Sequence, residues 1–372
     1  MDSSLLSTMV GQMSEHYEID VKSSLFSYPI LSNLEKFPLS DKRNVIIYDK
    51  NAQQRCLELF PSQAFYIEIE ILEEKKNLES VQDILASMAA YGVTRNDQII
   101  AVGGGALQDL VTLTASIYMR GIDWHYVPTT LMSMLDSCIG GKSSINLGEY
   151  KNLVGNFYPP KSILIDPNFL STLDRIDIAA GLAEGVKICF AFDNKKFQEF
   201  QKSTNTWKSK GDEQDILKAI FMSLESKKWF IEVDEFDKKE RKLLNFGHSF
   251  GHALESASGY ALPHGIAVFA GMYAAILRAD SIEACKDLCD YISSEVQVVN
   301  SAFPKFQLNS KKFIEAMKRD KKNSDTQQLL ILPSNNGKLV ESYFEITAEN
   351  LEFCLKAILI SLNTLGFKYE VL

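Results

Sequence analysis

Paired cysteines and long apolar runs are both absent from this sequence. Its six cysteines form no CxxC pair, and the closest two, Cys285 and Cys289, are one helical turn apart. Such usage is typical of free, mostly buried thiols in a reducing cytosol. No run approaches the roughly 20 apolar residues of a membrane span. The first residues also lack the basic and apolar regions of a signal peptide, so we expect a soluble cytoplasmic protein.

Positive charge is in deficit, with 39 basic residues against 48 acidic ones and a net charge of −9. This balance excludes a general nucleic-acid-binding surface, so an anion site has to be a local cluster of Lys and Arg. Hydrophobic residues make up 46% of the chain, which excludes a disordered or collagen-like protein. The length of 372 residues predicts about two domains.

The first 170 residues alternate short apolar runs with helical patterns, which predicts a mainly parallel sheet covered on both faces. Ligands bind such sheets at the carboxyl ends of the strands. The predicted strands are 44–49, 64–71, 98–104, 124–130 and 162–166, and the predicted helices are 77–91 and 106–119.

After Pro167, strand-like runs become scarce and amphipathic helical patterns take over. A late apolar run at 329–334, followed by Asn-Asn-Gly, predicts a hairpin. The predicted helices are 178–194, 214–232, 240–257, 264–280 and 347–363. We therefore predict an α/β domain over residues 1–170 and a mostly helical domain over 171–372, with a cleft between them.

A run of three glycines, Gly103, Gly104 and Gly105, joins a predicted strand to a predicted helix. Without Cβ atoms, this turn lets a pyrophosphate approach the backbone, and the helix N-terminus offers free N–H groups. The pattern is GGGxxxD, so the common dinucleotide fingerprint GxGxxG is not met. The alternative is a tight turn with no ligand, in which Asp109 is an acid favoured by the helix dipole.

Three of the five histidines, His248, His252 and His264, fall within 17 positions. His248 and His252 are four residues apart, so they project from one helix face. Imidazoles together with a nearby carboxylate are typical of a catalytic zinc site. The spacing allows either His248 with His252 or His248 with His264 as ligands. The alternative is a pair of histidines satisfied by backbone groups or water.

Glu184 lies in an otherwise apolar predicted helix, three residues before Lys187. Charged side chains on an apolar face are costly unless each has a partner, so we predict that Glu184 is buried as the carboxylate of the metal site. The alternative is an ordinary surface pair at i,i+3 spacing.

The segment 136–152 has little apolar content after Ile139 and is too long for a simple connection, so we interpret it as a binding loop. Lys142 and Lys151 provide charges for a phosphate, and Asn152 provides an amide donor. Taken singly, each of these cations is typical of a solvated surface. Further cations come from Lys227, Arg241 and the pair Lys321-Lys322.

Several motifs together resemble the 3-dehydroquinate synthase family within the sugar phosphate cyclases, in the expected order and over nearly the whole chain. They are GGGALQD, YMRG, VPTTLMSMLDSCIGGKSSIN, YKNLVGNFYPP, LAEGVK, LLNFGHSFGH, HGIAV and RDKK. The resemblance implies a Rossmann-like N-terminal domain and a helical C-terminal domain.

The resemblance also implies a set of site residues. Zinc, or Co²⁺, would be held by Glu184, His248 and His264. NAD would contact Asp49, Asn51, Glu73, Lys76, Gly103, Gly104, Gly105, Asp109, Thr129, Thr130, Asp136, Lys142 and Lys151. Substrate would contact Lys142, Asn152, Lys187, Lys227, Arg241, Asn245, His252 and Lys322. Arg120 would reach into the neighbouring subunit's site, which implies a homodimer.

The activity that the resemblance implies is conversion of DAHP, a seven-carbon keto acid phosphate, to 3-dehydroquinate and phosphate in the shikimate pathway. The steps are transient oxidation by NAD, phosphate elimination, re-reduction, ring opening and an intramolecular aldol closure. Zinc would polarise the hydroxyl that is oxidised. The net reaction is therefore a phosphate lyase reaction, and the protein contributes mainly positioning and charge stabilisation.

Lys227, Arg241 and Asn245 favour a substrate with a carboxylate, since a guanidinium suits bidentate carboxylate contact. Ile266 departs from the family, which commonly has an acid in HGEAV, and Ser143-Ser144 replace Thr and a small residue. These departures keep open a specialised cyclase, of the amino-dehydroquinate, 2-deoxy-scyllo-inosose or epi-valiolone type. A metal-dependent polyol dehydrogenase and a catalytically silent binding paralogue also stay open.

Overall fold

The computed structural model describes residues 16–23, 26–39, 43–60, 62–148, 150–235, 237–319 and 326–372. Its strands are β1 (Glu18–Lys22), β2 (Ser27–Leu31), β3 (Asn44–Asp49), β4 (Phe65–Ile69), β5 (Gln98–Gly103), β6 (Asp123–Pro128), β7 (Ile145–Leu147), β8 (Tyr150–Val154), β9 (Ile163–Leu164), β10 (Phe306–Leu308), β11 (Gln327–Pro333), β12 (Leu339–Glu345) and β13 (Tyr369–Val371). Its α-helices are α1 (Gln53–Leu59), α2 (Leu78–Ala90), α3 (Gly105–Ile117), α4 (Arg175–Phe192), α5 (Asn194–Lys210), α6 (Glu213–Val233), α7 (His248–Ala257), α8 (His264–Arg278), α9 (Lys286–Val299), α10 (Ser310–Lys318) and α11 (Ala348–Thr364).

A seven-stranded sheet organises the first part of the chain, in the order β1-β2-β9-β6-β5-β3-β4. All neighbouring strands in it are parallel except β1 and β2. Strand β5 lies near the centre and is buried along its whole length, which is expected of a parallel strand covered by helices on both faces. The predicted α/β class and its parallel sheet are confirmed.

Helices dominate after residue 170, as predicted. Helix α4 is buried on every side from Ala179 to Phe190 and packs against α5, α6 and α8. Asp174 caps the start of α4 by accepting a hydrogen bond from the Asp177 N–H. A helix that is apolar all round belongs in a core, so any charge on α4 has to be compensated inside the protein.

The sequence patterns placed most elements within a few residues, with three differences. The strand predicted at 162–166 is reduced to β9, and the helix predicted at 240–257 is interrupted. A 3₁₀ turn over Glu240–Asn245 precedes α7, because Gly247 takes the left-handed conformation with φ +78°. The elements that were not predicted include the hairpin β1–β2, the helices α1, α5, α9 and α10, and the paired strands β10 and β13. The hairpin predicted from residue 329 is confirmed as β11–β12.

The cysteines behave as predicted, since all six are free and buried. Among the described residues, no helix is both long and apolar enough to cross a membrane.

Candidate active site

A cleft of about 1330 Å³ lies at the carboxyl ends of the parallel strands, between the start of α3 and the paired helices α7 and α8. Polar and charged side chains from both parts of the chain converge in it. The predicted site residues that line it are Glu73, Lys76, Gly105, Asp109, Thr130, Asp136, Lys142, Lys151, Asn152, Glu184, Asn245, His252 and His264.

The three glycines form the predicted strand-to-helix turn. Gly103 ends β5, Gly104 precedes α3, and Gly105 is the first residue of α3. No side chain caps this helix start, so its first N–H groups are available to an anion. A Cβ on Gly103 would lie 2.8 Å from Leu107 Cβ, and the Thr129 N–H donates to Gly103 O at 3.0 Å. Of the three glycines, only Gly105 lines the cleft. The conformation of the turn depends on Gly103, Gly104 and Thr129, which do not line it.

Lys76 and Asp109 connect this turn to the lysine-bearing segment. Lys76 Nζ lies 3.2 Å from Asp109 Oδ2 and donates to Asn152 Oδ1 at 2.7 Å. Asp109 Oδ1 accepts from the Ser144 N–H at 3.0 Å. Burial raises the pKa of Asp109 to about 6, although the Lys76 charge and the Ser144 N–H oppose the rise. Asp109 is thus a partly buried partner of Lys76, not an acid in the first helical turn.

The segment 136–152 is more regular than the predicted loop. Ser133–Ser137 form a π-helical turn, and β7 pairs with β8 as an antiparallel hairpin. Ile145 is fully buried and anchors the hairpin. Asn152 adopts φ +53°, and its N–H donates to Asn146 Oδ1 at 3.0 Å. The described part of segment 136–152 is therefore held in place by its own hydrogen bonds, even though its composition resembles a loop.

The carboxylate of Glu184 meets two imidazoles from two other helices. Its Oε1 lies 3.6 Å from His248 Nε2 and 3.4 Å from His264 Nε2. Its Oε2 pairs with Lys187 Nζ. Glu184 and Lys187 are only 1% and 3% exposed, so the predicted buried pair is confirmed and the surface alternative is wrong.

Close helix packing brings these groups together. Helix α8 begins at His264, and a Cβ on the next residue, Gly265, would lie 2.5 Å from Ala180 Cα on α4. A glycine is therefore required at the point where α8 touches α4. His248 and His252 sit one turn apart at the start of α7, with ring centroids 5.3 Å apart. One imidazole nitrogen from each of His248, His252 and His264 lies within 4.8 Å of the other two.

The electrostatics of the cluster suit a cation. Glu184 Oε1 is buried and receives no well-formed hydrogen bond from the described residues. Although burial favours the neutral acid, Lys187 and the two histidines hold the pKa of Glu184 well below its usual value. Burial and the Lys187 charge lower the pKa of His248. An ionised carboxylate beside a neutral imidazole is a donor set that fits a divalent metal.

His264 has a second carboxylate partner. Its Nδ1 lies 3.3 Å from Glu255 Oε2. Burial opposes protonation of His264, but Glu184 and Glu255 outweigh it and raise its pKa to about 10. A carboxylate on the far nitrogen is the arrangement that orients a metal-binding histidine through its other nitrogen.

Three of the predicted cations do not line the cleft themselves, namely Lys187, Lys227 and Arg241. Lys227 Nζ contacts both Asp136 O and Asp136 Oδ1 at 2.6 Å. Arg241 is buried and its Nη1 donates to Glu235 O at 2.8 Å. Burial and the nearby Arg241 charge lower the pKa of Lys142, which lines the cleft. Lys187, Lys227 and Arg241 therefore contribute charge to the cleft through the residues that line it.

Three predicted residues lie elsewhere, and a fourth is not among those described. Asp49 ends β3, and its Oδ1 accepts from the Asn51 N–H at 3.0 Å; neither residue lines the cleft. Arg120 is exposed, with φ +68°, in the turn after α3. Lys322 lies outside the described residues.

Family comparisons place the whole arrangement among known proteins. The model of the 3-dehydroquinate synthase N-terminal family matches residues 66–180, and that of the 3-dehydroquinate synthase C-terminal family matches 181–323. The 3-dehydroquinate synthase of Methylacidiphilum infernorum is 33% identical over 368 residues, covering 96% of this chain and 100% of the relative. The chain belongs to the 3-dehydroquinate synthase family.

Another member of that family, from Dictyoglomus thermophilum, is 40% identical over 298 residues, covering 78% of this chain and 80% of the relative. Among solved structures, the 2-epi-5-epi-valiolone synthase ValA of Streptomyces hygroscopicus, with NAD⁺ and Zn²⁺ bound, has a TM-score of 0.76 at 26% identity over 90% of this chain and 97% of that chain. A 2-deoxy-scyllo-inosose synthase complexed with carbaglucose-6-phosphate, NAD⁺ and Co²⁺ has the same TM-score at 23% identity, covering 92% and 99%. The second likeness shows the shared fold.

The sequence predictions for this family member missed several residues that line the cleft, among them Asp237 and Glu255. Asp237 lies in a nearly continuous run of charges, which resembles a solvated surface. Its Oδ1 is buried and accepts no hydrogen bond from the described residues, and its Oδ2 lies 3.7 Å from Lys142 Nζ. Glu255 is seven residues after His248 on one helix face, and that spacing could have identified it. The other missed cations and rings are Lys242, Tyr260 and Arg319.

Proposed function

We propose that this protein is a 3-dehydroquinate synthase, which converts DAHP to 3-dehydroquinate and phosphate with NAD and a divalent metal, zinc or cobalt. The observation that carries the proposal is the meeting of the Glu184, His248 and His264 cluster with the glycine turn and the lysines in one cleft. Membership of the family supports the reaction. The NAD⁺ and Zn²⁺ bound to the related ValA support NAD and a divalent metal as the cofactors of this protein.

The metal would be held by Glu184, His248 and His264, because the unsatisfied Glu184 Oε1 faces both Nε2 atoms. When bound, the metal and NAD supply Lewis acidity and a hydride acceptor for one substrate hydroxyl. Lys187 neutralises the Glu184 carboxylate from the side opposite the imidazoles and keeps it ionised. Glu255 holds the His264 ring in one orientation.

The cations of the site would bind the two anionic ends of the substrate. Lys142 and Lys151 face the cleft and suit a phosphate. Arg241, behind Gly140, supports a carboxylate together with Asn245 and Lys227. His252 is exposed to the cleft beside the metal cluster, where it can hold or transfer a proton.

We also propose a homodimer and the predicted division of the chain near residue 170. The side chains of Ile117, Met119 and Phe157 are exposed beside Arg120, and a 2.5 Å hydrogen bond from Asn156 to Ser116 joins the two segments. An exposed apolar surface next to an arginine supports contact with a second copy. The last strand of the sheet ends at Leu164 and α4 starts at Arg175, which supports the division.

Turnover with zinc and catalytic NAD tests the function. Phosphate release is compared for DAHP, sedoheptulose 7-phosphate and glucose 6-phosphate, and the carbocyclic product is identified. We expect DAHP to be preferred, with no accumulation of NADH. Preference for another sugar phosphate would identify a different cyclase, stoichiometric NADH would identify a dehydrogenase, and no turnover of any substrate would reject the proposal.

A further inference from the structure

A contact between Lys151 and Tyr260 spans the cleft. Lys151 lies on β8, and its Nζ is 3.7 Å from the centroid of the Tyr260 ring. Tyr260 lies in the turn between α7 and α8, four residues before His264. Both side chains line the cleft and both are exposed, Tyr260 to 56%. The contact therefore joins the lysine-bearing hairpin to the helices that carry the histidine cluster.

The backbone holds Tyr260 in an uncommon conformation. Its φ is +61°, a region that a bulky side chain adopts only when the surroundings impose it. Its N–H donates to Glu255 O at 2.8 Å, and the nearby Leu262 side chain is buried. Because the turn is anchored on both sides of Tyr260, the ring has a fixed position against which the flexible Lys151 side chain can pack.

The partner of Lys151 leaves its charge available. No carboxylate among the described residues forms an ion pair with Lys151, whereas Lys227 is paired with Asp136 and Lys76 with Asp109. An aromatic face attracts an ammonium without neutralising it. Lys151 is thus held in position by a partner that does not compete with an anion for its ammonium group.

We propose that Tyr260 is a positioning residue for the anionic substrate: its ring holds the Lys151 ammonium at the cleft, ready to contact a phosphate or carboxylate. This inference rests on the proposed function for the nature of the substrate. The contact itself can be tested without turnover.

The first experiment observes the contact directly. Reductive ¹³C-methylation keeps the charge of every lysine, and Lys151→Arg identifies the Lys151 resonance. We expect a ring-current shift of this resonance in the unmodified sequence and in Tyr260→Phe, and its loss in Tyr260→Leu. Tyr91→Leu, which removes an exposed tyrosine that does not line the cleft, is the matched control. A Lys151 resonance that is unchanged in Tyr260→Leu would overturn the proposal.

The second experiment separates positioning from folding by kinetics on DAHP. A contact of this kind predicts that Tyr260→Leu raises KM about fivefold, with kcat much less affected, and that Tyr260→Phe restores KM. In a Lys151→Met background, Tyr260→Leu should raise KM no further. An equal increase in both backgrounds would show a structural role and overturn the proposal. If the unaltered enzyme does not turn over DAHP, the proposed function fails, and the NMR result alone decides the role of Tyr260.

Discussion

The two walls of the cleft are built on different physical principles. On the strand side, the turn at Gly103–Gly105 works through missing side chains and free N–H groups at the start of α3. On the helical side, the cluster around Glu184 works through buried charges that compensate one another. The first wall is therefore sensitive to added atoms, and the second is sensitive to removed charges.

The largest effect is expected from Glu184→Ala, which leaves the buried Lys187 ammonium without its partner. Breaking a buried ion pair costs about 3–5 kcal/mol of stability, and a metal ligand is lost as well. Urea unfolding and zinc content measure both effects. The double variant Glu184→Ala with Lys187→Met should recover stability and still bind no zinc. A stable single variant would contradict the account of the helical wall.

Substitution of the histidines sharpens the ligand assignment. We expect His264→Ala to lose stoichiometric zinc, because the Glu184 carboxylate then retains only His248 as an imidazole partner. His252→Ala should keep zinc and lose turnover rate. Metal analysis of both purified variants, together with phosphate release from DAHP, distinguishes them. If His252→Ala were the variant without metal, His252 would be a ligand and the assignment would be wrong.

The strand side is tested by adding one methyl group. Gly103→Ala places a Cβ against Leu107, and overpacking of this kind costs about 1–3 kcal/mol. The measurement is thermal unfolding together with NAD affinity. Adding Leu107→Ala removes the closest contact, with Leu107 Cδ2, but keeps the 2.8 Å contact with Leu107 Cβ, so it should relieve only part of the clash and restore only part of the NAD affinity. Unchanged unfolding in Gly103→Ala would show that the turn tolerates a side chain.

The last prediction concerns the pH dependence of stability through Asp109, whose effect is spread over about two pH units. Its pKa of about 6 in the folded protein lies above its ordinary value of 3.8, so the folded state binds this proton more tightly than the unfolded chain does. The contribution of protonated Asp109 to the free energy of unfolding is fully present below about pH 3.8 and is lost as the pH rises through about 6. Relative to Asp109→Asn, the free energy of unfolding should fall over this window by about 2–3 kcal/mol.

Urea titrations of both proteins between pH 4 and pH 7.5 check this expectation, since all other titrating groups are shared. A constant difference between the two proteins across the window would contradict a raised pKa for Asp109.

Local patterns predicted much of this site because they depend on neighbours in sequence. His248 and His252 share a helix face, and Glu184 precedes Lys187 by one turn, so their relative placement needs no long-range information. Asp237 could not be found in this way. Its carboxylate enters the cleft because the chain takes φ +61° there, and a run of charged residues gives no sign of that turn.

The sequence by itself determined the alternation of strands and helices, the glycine turn and the family to which the chain belongs. The alternation follows from short-range periodicity, the turn follows from three residues without a Cβ, and the family follows from the order of the motifs. Only the tertiary structure decided that Glu184 meets both His248 and His264, and that Lys151 rests on Tyr260. Those contacts join residues that are far apart in the chain. They form only in the folded protein, because they depend on how the helices pack and on how buried charges compensate one another.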